Sequence, residues 1–417
     1  MPDNQLGRDG YYRRTFLAGA AAAALSGVAE ATASPLASPD SLPPGLAGQI
    51  RDWMKIACLP GLSIARLDKG AVTGSLDFGV ANSETGQPVT RDSLFEACSM
   101  SKPVFAYGVL KLSQAGLIDL DRPLAGYVLP SYYPDDPLIR KITARHVLSH
   151  SSGLPPWGDE NKPESFKPTF EPGRYFSYSG EGYFWLQLVV EDITGLGLDP
   201  FMRKYLFEPA GMRSSVFAGF AEIAPRAVFG HRGGKVAADQ GWRNVLGQTE
   251  ALATKWGKPL RDWTQKDWLR AGAELVPSSP PKRLRFTNAA ASLLTTAEDF
   301  ARFTSLSMDD HRPAAWRLST QLSRQMYTPV IPVQPGIPLW WGLGWEIERD
   351  KKGVLFSHEG NNDNRFTCYS CGNPHSGKGL VILTNDGAGF GVYQKIIRAL
   401  TGSDPLSFIA NVNPPHV

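Results

Sequence analysis

Only 4 of the 417 residues are cysteine, and their spacing assembles no metal site. Cys368-Tyr369-Ser370-Cys371 is a single C-x-x-C with neither a second pair nor a histidine pattern to complete a zinc sphere. Charge of one sign is equally scarce: 43 Lys and Arg stand against 40 Asp and Glu, a net of +3, which leaves no electrostatic footprint for a nucleic-acid partner. Beyond the N-terminal region no apolar run approaches the roughly 20 residues that a membrane span requires. No G-x-S-x-G occurs anywhere, so the strained nucleophile elbow of the α/β-hydrolases is missing. No internal repeat is visible.

What the N-terminus does contain is an address. Tyr12-Arg13-Arg14-Thr15-Phe16-Leu17 precedes an Ala-rich apolar stretch and the small-residue site Ala31-Thr32-Ala33, the pattern of a cleaved bacterial twin-arginine export signal over 1–33. The mature chain is expected to begin near Ser34 and to be periplasmic or secreted, with no cysteine at the cleavage site to take a lipid. Export places the cysteines in an oxidising space. Cys368 and Cys371 are expected to form a local disulfide or to pack as two thiols, and Cys98 to be a small buried neighbour.

The pattern along the chain reads as α+β. After a Pro/Ser-rich linker over 34–44 and a short helix, residues 61–66 and 71–79 look like a strand pair around Asp68-Lys69-Gly70. Residues 117–210 read as mostly helical, with 181–193 the clearest amphipathic helix and Gly195 its stop. From 211 to 285 the pattern is irregular, with Trp242, Trp256, Trp263 and Trp268 among charges, as in an insertion or lid. Thr295-Thr296-Ala297-Glu298 reads as a capping box opening a helix over 299–306. Strand-like runs follow at 341–347, 354–358, 365–369 and 380–384, then a helix near 392–400. Strands at both ends with helices between them imply one antiparallel sheet built from the two termini, with an all-helical part inserted. The catalytic unit is expected to span 45–402, its α/β part being 45–116 and 286–402, with 403–417 a tail.

Ser99-Met100-Ser101-Lys102 opens an apolar helical pattern continued by Phe105, Val109 and Leu112. Residues three apart share a helix face, so a serine hydroxyl and a lysine amine can meet at a helix N-terminus, an activated-nucleophile arrangement. Pro103 is tolerable in the first turn, and Gly116 can end the helix. The second copy, Ser279-Pro280-Pro281-Lys282, is rejected because its prolines disfavour the helix that would bring serine and lysine together. Tyr178-Ser179-Gly180 precedes the long helix, and a tyrosine beside an ammonium can act as a base if its pKa falls. His358-Glu359-Gly360-Asn361 ends a strand, where Gly360 would let a substrate approach the backbone and the next N–H could meet an oxyanion.

Three lookalikes fail. Gly372 to Gly379 nearly matches a phosphate loop, but glycine replaces the required hydroxyl and a strand follows. His146 and His150 share helical spacing but lack the intervening glutamate and a third ligand. His358-Glu359 lacks the second histidine of H-E-x-x-H, that position being Asn362.

With the three motifs in order, the chain resembles the serine beta-lactamase and penicillin-binding-protein superfamily, in particular its class C-like branch of esterases, D-amino-acid peptidases and lactamases. Ser99 to Lys102 is similar to its first motif, Tyr178 to Gly180 to its Tyr-x-Asn motif, and His358 to Gly360 to its Lys/His-x-Gly motif. The stretches 142–155, 208–212, 342–345 and 379–385 add to the likeness, which runs over nearly all of 45–402. The resemblance implies a helix-flanked antiparallel sheet beside a helical domain, with the active site between them. It implies acyl transfer through Ser99, with Lys102 and Tyr178 moving protons, the N–H groups of Ser99 and Asn361 holding the oxyanion, and no metal or organic cofactor. The substrate is expected to be a small molecule or short peptide.

Two departures bear on specificity. Gly180 stands where the family's lactamases carry an amide-binding asparagine, and His358 replaces a lysine that could meet a lactam carboxylate. Both favour an esterase or D-amino-acid peptidase over a beta-lactamase or D-Ala-D-Ala carboxypeptidase. A non-hydrolytic penicillin-binding or sensor protein is the rival from another class. The Gly180 position is expected to be open, so that Gly180→Asn would raise lactam turnover.

Overall fold

The structure is a computed structural model that describes residues 42–278, 280–281, 283–308, 317–350 and 353–410. The export signal, most of the 34–44 linker, Ser279 and Lys282 of the rejected Ser-x-x-Lys copy and the last seven residues of the tail lie outside the described residues.

The strands of the main sheet are β1 (Gly61–Asp68), β2 (Ala71–Asn82), β3 (Gln87–Pro88), β4 (Ile331–Pro332), β5 (Leu339–Trp341), β6 (Glu346–Asp350), β7 (Gly353–Asn362), β8 (Phe366–Asn373) and β9 (Lys378–Thr384). They lie in the order β3-β2-β1-β9-β8-β7-β6-β5-β4, every neighbouring pair antiparallel. The two ends of the chain meet at its centre, where Leu62 faces Thr384 and Ile64 faces Ile382.

Alternation of side chains across the pleat explains how both faces are covered. Leu62, Ile64, Leu380 and Ile382 point into one core with Ile50 and Met54 of helix α1 (Leu46–Ala57) and with Val392 and Ile396 near the C-terminus. Ala65, Leu67, Val381 and Leu383 point into the other. That second core is shared with α2 (Ser101–Gln114), α3 (Ala144–Leu148) and α4 (Gly180–Thr194). The same alternation separates Cys368 and Cys371, three apart on β8: the first lies in the inner core, the second in the outer. A disulfide between them is therefore excluded, and each thiol packs alone against its own layer. Cys368 Sγ instead donates to Ala97 O at 3.0 Å, next to Cys98.

Residues 211–285 are more regular than their sequence suggests. They hold α5 (Leu246–Trp256) and α6 (Gln265–Leu275) around an aromatic cluster in which Trp263 stacks on Trp256 at 4.8 Å and meets Trp268 edge-on at 4.9 Å. The tryptophans scattered among charges are this cluster's core, which periodicity alone does not reveal. Between 117 and 179, conversely, only α3 and short 3-10 turns form. The expected 341–347 strand is two strands, parted at Gly342 to Trp345. Helix α7 (Ala297–Met308) is capped by the Thr296 hydroxyl, which accepts from the Asp299 N–H at 3.1 Å, one residue later than the expected box. The last long helix is α8 (Gly389–Thr401).

Candidate active site

Ser99 sits not in the helix but in a 3-10 turn, Cys98–Met100, that feeds α2. Cys98 holds a left-handed φ of 49°, a conformation that costs a non-glycine residue about 1–2 kcal/mol. Surrounding bonds hold it there: Met100 N–H donates to Ala97 O at 2.9 Å, Ala97 N–H to Leu293 O at 2.8 Å, and Ser101 Oγ to Cys98 O at 2.6 Å. Ser99 is 6% exposed.

Lys102 Nζ lies 3.1 Å from Ser99 Oγ and 3.0 Å from Ala290 O. Among the described residues no carboxylate pairs with it, and burial pulls its pKa down to about 7. It can therefore lose a proton near neutrality and turn a lone pair toward the serine. The Tyr178 ring centre is 4.6 Å from the same nitrogen. Burial pushes the Tyr178 phenol well above its ordinary pKa, a hydrogen bond with Ser99 opposing, so the expectation of a lowered pKa fails: desolvation of the phenolate outweighs any help from the ammonium. Tyr178 keeps its proton and can only relay or donate one.

His150 is the residue sequence reasoning set aside. Its φ of 53° turns the chain off the end of α3, and its ring stacks on Tyr178 at 4.2 Å and 26°. Its backbone carbonyl accepts from Ser177 N–H at 2.7 Å and its Nδ1 from Ser179 N–H at 3.0 Å, gripping the chain on both sides of the tyrosine. His146 parts from it entirely, closing a capping box with Thr143 at the start of α3. A local pattern could not separate these two histidines. Only the left-handed turn after the helix sends one of them into the site.

His358 is 2% exposed, its Nδ1 on Glu359 O, and it faces the Trp341 ring at 5.3 Å. Burial, with the Lys102 charge adding to it, lowers its pKa to about 3, so it is neutral at any ordinary pH. Gly360 is required for a different reason from the one its motif suggests. A Cβ there would lie 2.5 Å from Cys368 Sγ, 2.7 Å from Cys98 Cβ and 2.9 Å from Ala97 O; the nucleophile turn itself, rather than a substrate, fills the space. The pairing of β6 with β7 ends at Glu346 and Ser357, leaving 358–362 unpaired on that side of the strand. The Asn361 side chain exchanges two 2.8 Å bonds with Asn364, and its backbone is paired opposite Thr367 on β8.

Gly180 is not an open position. A Cβ there would meet the Trp157 ring at 2.5 Å, so the indole occupies the volume that a side chain would need. The loop at 285–291 forms a further wall that the sequence did not disclose. Ala290 O holds Lys102, and Ala291 O accepts from Asn362 Nδ2 at 3.2 Å. Asn362 also donates to the half-buried Glu96 at 2.6 Å.

The sequence profile of the Beta-lactamase family matches residues 46–402. The chain belongs to that family. Among its relatives, it is 27% identical to penicillin-binding protein 4 of Amycolatopsis lactamdurans over 86% of this chain and 88% of that one. It is 31% identical to esterase EstB of Burkholderia gladioli over 35% of this chain and 43% of that one. Among solved structures, the octameric penicillin-binding protein homologue from Pyrococcus abyssi aligns with a TM-score of 0.64 at 22% identity, covering 86% of this chain and 77% of that one. A class C beta-lactamase aligns with a TM-score of 0.63 at 19% identity, over 86% and 96%. These two likenesses speak for the fold. Family membership with hydrolase relatives makes the chain a serine hydrolase in the general sense. Among the described residues, no helix is long and apolar enough to cross a membrane.

Proposed function

We propose that the chain hydrolyses small esters or D-amino-acid amides through an acyl-enzyme on Ser99. The observation that carries this reading is a buried lysine with no counterion among the described residues, 3.1 Å from the serine oxygen and poised to be neutral near pH 7. Neutral Lys102 takes the Ser99 proton as the oxygen attacks the carbonyl. Tyr178 passes its own proton to the leaving group and is reprotonated from Lys102, so the net result is one proton lost by Ser99 and one gained by the alcohol or amine released, with Lys102 and Tyr178 back in their starting states. Main-chain N–H groups at Ser99 and Asn361 are assigned to the oxyanion, and water reverses the sequence to free the acid. The neutral His358 supports esters and amides over substrates that need a cation at that position. Mass spectrometry after a fluorophosphonate or a slowly turned-over ester should place the adduct on the Ser99 peptide. An active preparation modified elsewhere, or not at all, would refute the assignment.

A further inference from the structure

The Gly180 wall is built from two residues that the three motifs do not contain. Gly180 and Glu181 N–H groups both donate to Pro156 O at 3.0 Å, which sets the next residue, Trp157, against the Gly180 Cα. The Arg285 guanidinium lies 4.4 Å from the centre of that indole, a cation–π contact that holds a long side chain in place. The loop behind it is fixed to the catalytic lysine through a short relay. Asn288 Nδ2 donates to Arg285 O at 2.7 Å, Asn288 Oδ1 accepts from Ala290 N–H at 3.0 Å, and Ala290 O accepts from Lys102 Nζ.

The neighbouring cation, Arg283, is buried and taken by Glu181 at 2.6 Å. Arg285 differs. It is exposed, and among the described residues it has no ion-pair partner; Glu160, Glu181 and Asp363 act on it only through space. With His358 neutral, the exposed Arg285 guanidinium, held against the indole that abuts Gly180, is a positive charge whose fork of N–H donors can bind a carboxylate through two hydrogen bonds.

We propose that Trp157 and Arg285 form a substrate subsite beside Gly180, in which the indole excludes a polar side chain and the guanidinium binds a carboxylate carried by the substrate. This rests on the hydrolase reading above, and the test separates the two. The 4-nitrophenyl monoester of adipate is compared with 4-nitrophenyl hexanoate to place the charge on the acyl half. The butanoates of 4-hydroxybenzoate and 4-hydroxybenzamide place it on the alcohol half. In at least one pair kcat/KM should favour the anionic ester by about tenfold or more, a preference that added salt weakens. Arg285→Gln should abolish that preference, lowering kcat/KM for the anionic ester about tenfold more than for the neutral one, with a circular dichroism spectrum like the wild type's to show that the variant is folded; Arg285→Lys should keep only part of the preference, since the fork is lost. Equal rates within both pairs, or an equal fall for charged and neutral esters in Arg285→Gln, would overturn the subsite. A hexanoyl adduct on Ser99 without any charge preference defeats the subsite alone. Absence both of turnover of every ester and of a fluorophosphonate adduct on Ser99 defeats the hydrolase reading, and calorimetric binding of adipate to the wild type but not to Arg285→Gln then still decides the subsite.

Discussion

Burial of the Lys102 amine beside Ala290, Tyr178 and Ser99 brings its proton loss down to about 7, and the neutral form is the base, so kcat/KM for a neutral ester should climb as pH rises through about 7. His150 and His358, both held neutral well below their usual value, should add no step near 6.5. A flat profile from about pH 5.5 to 8.5 would remove Lys102 from the base role. Lys102→Ala and Tyr178→Phe should each lower kcat by about 10² or more, with a double variant little worse than either, because they serve one proton route. At Gly180 the outcome is the reverse of what the motif suggests. Gly180→Asn must displace the Trp157 ring, so it should lower stability by about 1–3 kcal/mol in denaturant unfolding, and the loss should shrink in a Trp157→Ala background. Equal losses in both backgrounds would mean that the indole is not what excludes the side chain. Ser99 and Lys102 were legible because their meeting is local, three residues apart at one helix start. Trp157, His150 and Ala290 were not, since each reaches the site through contacts set by distant segments.

Helix α4 is the element that joins the site to the 211–285 region. Gln187, fully buried, donates to Glu191 at 2.8 Å and to Thr287 O at 3.3 Å, and accepts from Ala289 N–H at 2.9 Å. Glu191 in turn accepts from Gln265 N–H at 2.8 Å, at the first turn of α6. One helical turn thus fixes both the loop that holds Lys102 and the start of a helix in the insertion. Gln187→Ala leaves buried main-chain groups at Thr287 and Ala289 without this partner, a loss of about 1–3 kcal/mol. It should also lower kcat more than it changes KM, since the Ala290 carbonyl is carried on the freed loop. Lost stability with kcat intact would show that the loop holds its place without α4. The helix itself was readable from its apolar spacing, its Gly195 stop and its Ser179 start, where the hydroxyl accepts from Gly182 N–H at 3.1 Å. Its buried polar pair was not, because amide-to-carboxylate spacing on a helix says nothing about which loop will dock there.

At the scale of the whole molecule, the sheet closed by both chain ends was legible because β1 and β9 alternate or run apolar between clear turns. The helices at 246–256 and 265–275 were missed, because their apolar faces serve a separate aromatic cluster rather than the main core. That packing has an electrostatic consequence. Where the 211–285 region packs on α4, burial raises the Glu191 carboxyl to about 7, against hydrogen bonds from Gln187 and Gln265 that favour its charge. The unfolded chain releases this proton near 4.5 and the folded one near 7, so between those values the native state holds a proton that the unfolded state has lost. Stability must then fall with rising pH across that window and level off above it. Glu359, raised to about 7 by burial, acts in the same direction, while His358, lowered to about 3, opposes it between about 3 and 6.5. The wild-type curve therefore mixes opposing slopes, and a comparison isolates one group. Glu191→Gln cannot titrate, so its unfolding midpoint relative to wild type should rise from about pH 4.5 to 7 and stay constant beyond about 7.5. A difference that does not depend on pH would mean that water reaches Glu191 and that the insertion does not seal this face of α4.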